Sequence, residues 1–453
     1  MKTKALIGLL ATGLFLSGCS KFVEDYDVSP NYPGEVNAAL LTTNAQVALF
    51  ATYNGQLART TSIWTQQLAG TDAQMIDHAS YRLYEGDIQN EWDVIYKDGL
   101  EACRDLINNY SDGNPHYRGI GQVLECMFLG VATDLWGDVP NTNAIKGTDD
   151  LNPTFDTQED VIKYIQSNLD AAITNLKTDA AANSLTPSTD DLVYGGDAAA
   201  WIKAAYTLKA RYAMRITHKS STASSDALSA LANGIASSDD DMMAAFGTKG
   251  TELNTWFAFE TARPGYLRMG KPFVDELTAN NDPRLSFYAA KDTGDIYRGA
   301  VIGSGDATAS PIGSYLQSLS FPLISYVEAK FIEAEAQFAN DKGKSAEAFN
   351  DAVKASLMAV TGANDSAFVA NVASETAGSI NLDKIYAQKH VALFGQIEAY
   401  NEWRKGDIPV RTPNPQGVIT TIPVRYPTPL EERLYNTNAV VVHDLSQKVW
   451  WDN

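Results

Sequence analysis

The chain has 453 residues, enough for a large core, with 35 Lys+Arg against 55 Asp+Glu and a formal net charge of −20. So acidic a surface repels nucleic-acid phosphates and anionic lipid, which excludes nucleic-acid binding and membrane association driven by charge. Three cysteines exclude a disulfide scaffold, and the five histidines His78, His116, His218, His390 and His443 are too scattered for a metal-ligand set.

Lys2 and Lys4 open the chain, an uncharged apolar run follows from Ala5 to Ser17, and Leu16-Ser17-Gly18-Cys19 closes it. That order is a secretory signal with a processing site. The run falls short of the about 20 apolar residues of a spanning helix. Leu-Ser-Gly-Cys resembles the lipobox of bacterial lipoproteins, which implies loss of residues 1–18 and acylation of Cys19; an ordinary cleaved signal is the alternative. No other segment is long and apolar enough to insert, so the lipid on Cys19 is the expected membrane anchor and residues 19–34, with Pro30 and Pro33, the tether.

From Glu35 the pattern is helical, with Val47, Phe50, Tyr53 and Leu57 three to four residues apart; a second helix carries Ile63, Trp64 and Leu68 to Gly70. The polar stretch 71–89 holds His78, Tyr81 and Tyr84 without a period, as a recognition loop does. Trp92, Tyr96, Leu100, Cys103 and Ile107 form one stripe, a break at Ser111–Pro115 follows, and Ile120, Leu124, Met127, Val131 and Leu135 form the next. The short turn makes these two helices antiparallel. Cys103 lies on its stripe, so a buried free thiol and a bond to Cys126 are both open.

The second helix stops at Trp136-Gly137-Asp138-Val139-Pro140. Ile162, Ile165, Leu169, Ile173 and Leu176 follow, capped by Asp156 or Thr157, and then a partner from Tyr194-Gly195-Gly196-Asp197 through Trp201 and Leu208 to Ile216. The unit is a helical hairpin of tetratricopeptide length. Residues 220–325 lose this repeat character and read as an insertion on one face, with a small β element near Tyr297–Ile302. Helices return at Val327–Phe338, after a Gly343 break at Ala348–Ala355, and over about Lys384–Lys405; the proline-rich tail is irregular. The predicted class is all-α, in segments 35–219, 220–325 and 326–453 of one domain.

Trp136-Gly137-Asp138-Val139-Pro140, Tyr194-Gly195-Gly196-Asp197 with Trp201-Ile202-Lys203, Asn281-Asp282-Pro283-Arg284-Leu285, Glu328-Ala329-Lys330-Phe331, Gln388-Lys389-His390 and Arg425-Tyr426-Pro427 occur in this order over nearly all of the chain. Together, behind a lipobox, they resemble the SusD and RagB family of Bacteroidetes outer-membrane lipoproteins, in its second SusD-like branch. His390 and Arg404-Lys405 depart from the usual family pattern. The resemblance implies tetratricopeptide-like hairpins on one side, a variable binding region on the other, and no catalysis or cofactor. It also implies a surface-facing protein that passes an oligosaccharide or other nutrient to a SusC-like, TonB-dependent channel. The acids Glu24, Asp25 and Asp27 resemble the surface-export signal of such lipoproteins.

The family-like motifs read as scaffold, with Asp138 and Asp197 as caps or turn formers and Arg425 paired with Glu431. No nucleophile elbow, zinc helix or phosphate loop occurs, and abundant carboxylates alone say nothing about glycoside hydrolysis. Sugar binding asks for aromatic faces with a few polar partners. The candidates are Trp64, Tyr81 and Tyr84 in the N-terminal region and Trp256, Tyr266, Arg268, Tyr297 and Tyr315 in the insertion; at least two of Trp64, Tyr81, Trp256, Tyr266 and Tyr297 are expected in one pocket. Trp92, Trp201 and Trp403 lie on stripes and read as core. The other reading is a protein-interaction or peptide-binding lipoprotein that uses the tetratricopeptide-like face.

Overall fold

A computed structural model describes residues 36–453; the leader, Cys19 and the tether lie outside them. Asn37 caps the first helix, α1 (Ala38–Asn54), by accepting from Leu40 N at 2.9 Å. Its buried side carries Leu41, Ala45 and Leu49, whereas Val47 is 53 % exposed and lies off the stripe assigned to it. α2 (Gln56–Trp64) ends four residues before Leu68, and β1 (Leu68–Gly70) pairs antiparallel with residues 267–269. The predicted second helix is therefore a helix followed by a strand. α3 (Ala73–Ala79) sits inside the polar stretch 71–89, which shows no hydrophobic period.

The stripe from Trp92 to Ile107 is one rod, α4 (89–110), in which α-helical turns alternate with π turns at Val94–Leu100 and Leu106–Tyr110. It lies against α5 (Pro115–Trp136), and at Gly99 a Cβ would sit 2.4 Å from the Phe128 ring, so only glycine allows this approach. α5 is buried on nearly every side, its polar residues Gln122, Glu125 and Asp134 included. Gly137 at φ +83° ends it.

β2 (Val139–Pro140) and β3 (Phe155–Asp156) pair next, and Asp138 Oδ1 accepts from Gln158 N at 2.8 Å at the start of α6 (Gln158–Leu176). Thr157 is the N-cap, through Asp160 N. α6 packs on α5, α7 (Ala198–Arg215) packs on α6 and on α8 (Ala223–Leu231), and Asp197 caps α7 by accepting from Ala199 N and Ala200 N.

The insertion carries β4 (Met242–Ala245), α9 (Thr255–Ala262), β5 (Leu267–Met269), which is the partner of β1, α10 (Lys271–Ala279) and α11 (Leu285–Tyr288). β6 (Ser320–Ile324) pairs antiparallel with β4. The strand expected near Tyr297–Ile302 is a single parallel bridge of Ala300 to Gly270.

α12 (Tyr326–Gln337) and α13 (Lys342–Thr361) form the next hairpin, and Gly343, read as a break, lies in the first turn of α13 behind the Asp341 cap. α14 (Ser366–Val372) precedes α15 (Leu382–Ala392) and α16 (Ile397–Gly406), so the helix expected over 384–405 is two. Gly395, at φ +77°, makes the corner. The tail holds α17 (Leu430–Tyr435) and otherwise wraps the body, as its prolines predict. Cys103 and Cys126 are both buried free thiols.

The aligned motifs hold the frame together. Arg284 clamps Asp282 at 2.6 and 2.9 Å and reaches Ser356 and Gln388. Arg211 on α7 grips Glu328 on α12 through two 2.6 Å bonds. Arg425 donates to the carbonyls of Trp136 and Tyr426, while Glu431 lies 3.5 Å from Lys97, so the expected Arg425–Glu431 pair does not form. The Pro427-Thr428-Pro429 bend carries α17 away from Arg425 towards α4.

Candidate ligand-binding face

After α3 the chain makes a tight corner at Tyr81, held at φ +61°, a conformation that a bulky residue adopts only where its surroundings enforce it. The tail enforces it here. Asn414 N donates to Tyr81 Oη at 2.7 Å, Asn414 Nδ2 to Ala79 O at 2.7 Å, and Val418 N to Ser80 O at 3.0 Å. Tyr81 is thereby spent on fastening the loop to residues 414–418.

The loop then climbs into solvent. Tyr84, at 67 % exposure, stands at the rim of a 710 Å³ cleft. Leu83, Val418, Ile419, Pro427, Leu430 and Leu445 give the cleft its apolar lining. Glu85 is held from across it by Arg433 Nε at 2.6 and 2.7 Å and by His443 Nδ1 at 2.9 Å. Arg82 adds a guanidinium 3.5 Å from Asp77. An open aromatic face, an aliphatic lining and fixed donors and acceptors on one rim are features that suit a ring with an apolar face and polar edges.

A second groove of 470 Å³ lies on the other side of the same segment, between Gln56 and Arg59, Asn90 and Glu91, and Phe259 and Arg263 of the insertion. Gln56 Nε2 ties it to the loop by donating to Asp87 O at 2.7 Å. The Arg59 guanidinium stacks 4.4 Å above Phe259 and Arg263 lies 5.4 Å from the same ring. Arg59 Nε and Nη1 are buried with no hydrogen-bond partner, and burial draws this guanidinium down to about 10. Burial likewise pushes the neighbouring Glu260 carboxyl up to about 7 and that of Glu91 upward. Segment 84–91 thus divides two concave surfaces, one apolar with a charged rim and one carrying unmet donors.

The eight candidate residues fare differently. Tyr81 and Tyr84 both border the larger cleft, but Tyr81 is buried with its hydroxyl held by Asn414, and only Tyr84 presents an open ring. Trp64 is 0 % exposed, stacked at 5.0 Å on Tyr426 and 5.6 Å on Tyr400 with its Nε1 donating to His78 O, so it has no face to offer a ligand. Trp256 is equally buried, because the first turn of α9 points it inward. Tyr266 is half-buried and meets Phe259 edge-on at 6.3 Å, behind the second groove. Arg268 spends its guanidinium on the carbonyls of Ala307 and Leu267. Tyr297 is half-buried against the core, and Tyr315 opens into a separate cavity. Neither cleft beside the loop brings together two of Trp64, Tyr81, Trp256, Tyr266 and Tyr297.

The residues that sequence reasoning missed are Arg433, His443 and the apolar tail positions 418–445, which had no periodic signal, and Arg59, hidden in a helix. Trp92, Trp201 and Trp403 are buried as their stripes imply.

The SusD-like_2 family model, described as starch-binding associating with outer membrane, matches residues 30–429. This chain is similar in structure to a chitin-binding protein, with 24% identity over 92% of this chain and 100% of the other at a TM-score of 0.78. It is similar to a SusD/RagB family protein from Bacteroides thetaiotaomicron, with 22% identity, coverage of 92% and 99%, and a TM-score of 0.78. A chitin-binding SusD homolog from Flavobacterium johnsoniae gives 22% identity, coverage of 91% and 98%, and a TM-score of 0.79. At these identities the structural likeness is one of fold. Among curated protein sequences none matches.

Proposed function

Because the chain belongs to the SusD-like_2 family, we propose that it is a surface lipoprotein, anchored through Cys19, that captures a glycan on the face around residues 81–91. In this reading it hands the glycan to a partner TonB-dependent outer-membrane channel and performs no chemistry on it. Tyr84 carries the proposal: an exposed aromatic ring at the rim of a 710 Å³ cleft, beside a glutamate fixed by an arginine and a histidine. The family description supports a glycan as the ligand class. No helix among the described residues is long and apolar enough to cross a membrane, which is compatible with the lipid acting as the anchor.

The test is calorimetry of the mature chain with starch- and chitin-derived oligosaccharides. Tyr84→Ala is expected to weaken binding about tenfold, or about 1.4 kcal/mol, with an unchanged melting temperature because the ring is exposed. Unaltered affinity would remove Tyr84 from the site. Delivery is tested separately: the chain should co-purify with a large outer-membrane β-barrel from native membranes, and consistent failure to do so counts against the transport role.

A further inference from the structure

A third cavity, of 280 Å³, lies away from the 81–91 face and shares no lining residue with either cleft beside it. It is walled by the β4–β6 ribbon, the turn Ser314–Gln317, α13 and the start of α16, and the residues that matter are Asp241, Met243, Tyr315, Ser356, Ala359 and Gln396. It is smaller than the about 300–1,000 Å³ of drug-sized pockets, and so suits a ligand of roughly one ring or a short chain.

Its polar groups are out of balance. Asp241 Oδ1 accepts from Tyr326 N at 2.6 Å, yet among the described residues no Lys, Arg or His forms an ion pair with this carboxylate. The acids nearest to it are Asp239, Asp240 and Glu328, and the cations beside them are taken: Arg211 is committed to Glu328 and Lys203 to Asp240 at 2.6 Å. Burial and these acids push Asp241 up to about 7. Gln396 is only 8 % exposed and lines the same cavity with no side-chain hydrogen bond among the described residues. A half-buried carboxylate without a counter-ion favours a ligand that donates, and the idle amide beside it can donate or accept.

We propose that this cavity binds a small primary amine, whose ammonium group pairs with Asp241 while its remaining polar atoms meet Gln396 and Tyr315. An anionic ligand is opposed by Asp241 and the nearby Asp239, although Glu328 and Asp240 are paired with Arg211 and Lys203. A neutral hydroxyl can donate to Asp241 and leaves the charge uncompensated, whereas an ammonium does both. A metal ion is a poorer fit, since no group of three or more His, Cys, Asp or Glu is placed to hold one among the described residues. The site does not depend on glycan capture at the 81–91 face.

The experiment titrates the mature chain with isosteric pairs: glucosamine against glucose, and ethanolamine against ethylene glycol. At least one amine is expected to bind tenfold or more tightly than its hydroxyl counterpart. Asp241→Asn keeps the acceptor for Tyr326 N and should abolish that preference. Ala359→Trp, on an exposed helical position at the cavity mouth, should block binding while leaving the carboxylate in place, and serves if the first variant fails to fold. Absence of any amine preference overturns the proposal. So does a preference that survives either variant, because it would come from the acidic surface at large.

Discussion

His78 is a neutral imidazole inside the fold, with Nδ1 3.0 Å from Thr60 Oγ1 and its carbonyl accepting from Trp64. Burial lowers its pKa from 6.5 to about 4. The unfolded chain therefore takes up a proton below pH 6.5 that the folded chain refuses until about pH 4. The stability that this group contributes is complete above 6.5 and is lost as pH falls through that window, by about 3 kcal/mol at most. Asp241 and Glu260 act in the opposite sense: their raised carboxyls hold protons in the folded state, so stability from them declines as pH rises towards 7. Urea unfolding at pH 6.5, 5 and 4 separates the two, because His78→Gln should flatten the acid loss while leaving the carboxylate trend. At this scale the sequence was legible in kind and not in place. Trp64 and Tyr84 look alike as aromatic candidates, and only the depth of α2 and the climb of the loop make one core and the other surface.

Periodicity located most helices, because an apolar stripe has to be buried wherever the helix goes. It did not reveal where a stripe changes direction. The run from Ile385 to Tyr400 reads as continuous, yet Gly395 bends it so that α15 and α16 meet at a corner, with Gly395 N donating to Gln67 Oε1 at 3.2 Å. A Cβ there would stand 2.5 Å from Leu316 Cδ2, on a backbone that favours glycine. Gly395→Ala is expected to cost about 2 kcal/mol, seen as a lower urea midpoint with an unchanged slope. The strand at Leu68–Gly70 was hidden for a related reason: three residues carry no period, and its partner lies about two hundred residues away at Leu267–Met269. Caps were easier to read, since Thr157 and Asp197 act within three residues of themselves.

Across the whole molecule, five helices converge on one buried set of charges. Arg215 of α7 reaches Asp134 of α5 at 3.2 Å, and Glu398 and Glu402 of α16 at 2.5 and 3.2 Å. Lys389 of α15 and Lys405 of α16 close on Glu402 and on Glu335 of α12 at 2.7 to 3.5 Å. Arg215→Met would leave Asp134 and Glu398 buried without their main partner, a loss of about 3–5 kcal/mol, measurable by equilibrium unfolding against a Lys163→Met surface control. In the sequence Lys389 and Lys405 stand in motifs, whereas Arg215, Asp134, Glu398 and Glu402 carry no signal; the convergence of these charges is a property of how the hairpins stack. The tail was legible as irregular and wrapping, and silent about what it wraps. The larger cleft joins Glu85 to Arg433 across 348 positions. A contact of that sequence separation carries a loop-closure cost that the docking of the intervening helices offsets. The cleft therefore depends on the tail: a chain clipped near residue 418 would lose Arg433, His443 and Leu445 from its wall, and is expected to lose whatever affinity the cleft confers while α1 to α16 remain in its sequence. Binding at this cleft, where measured, would thus also report that the C-terminal tail is in place.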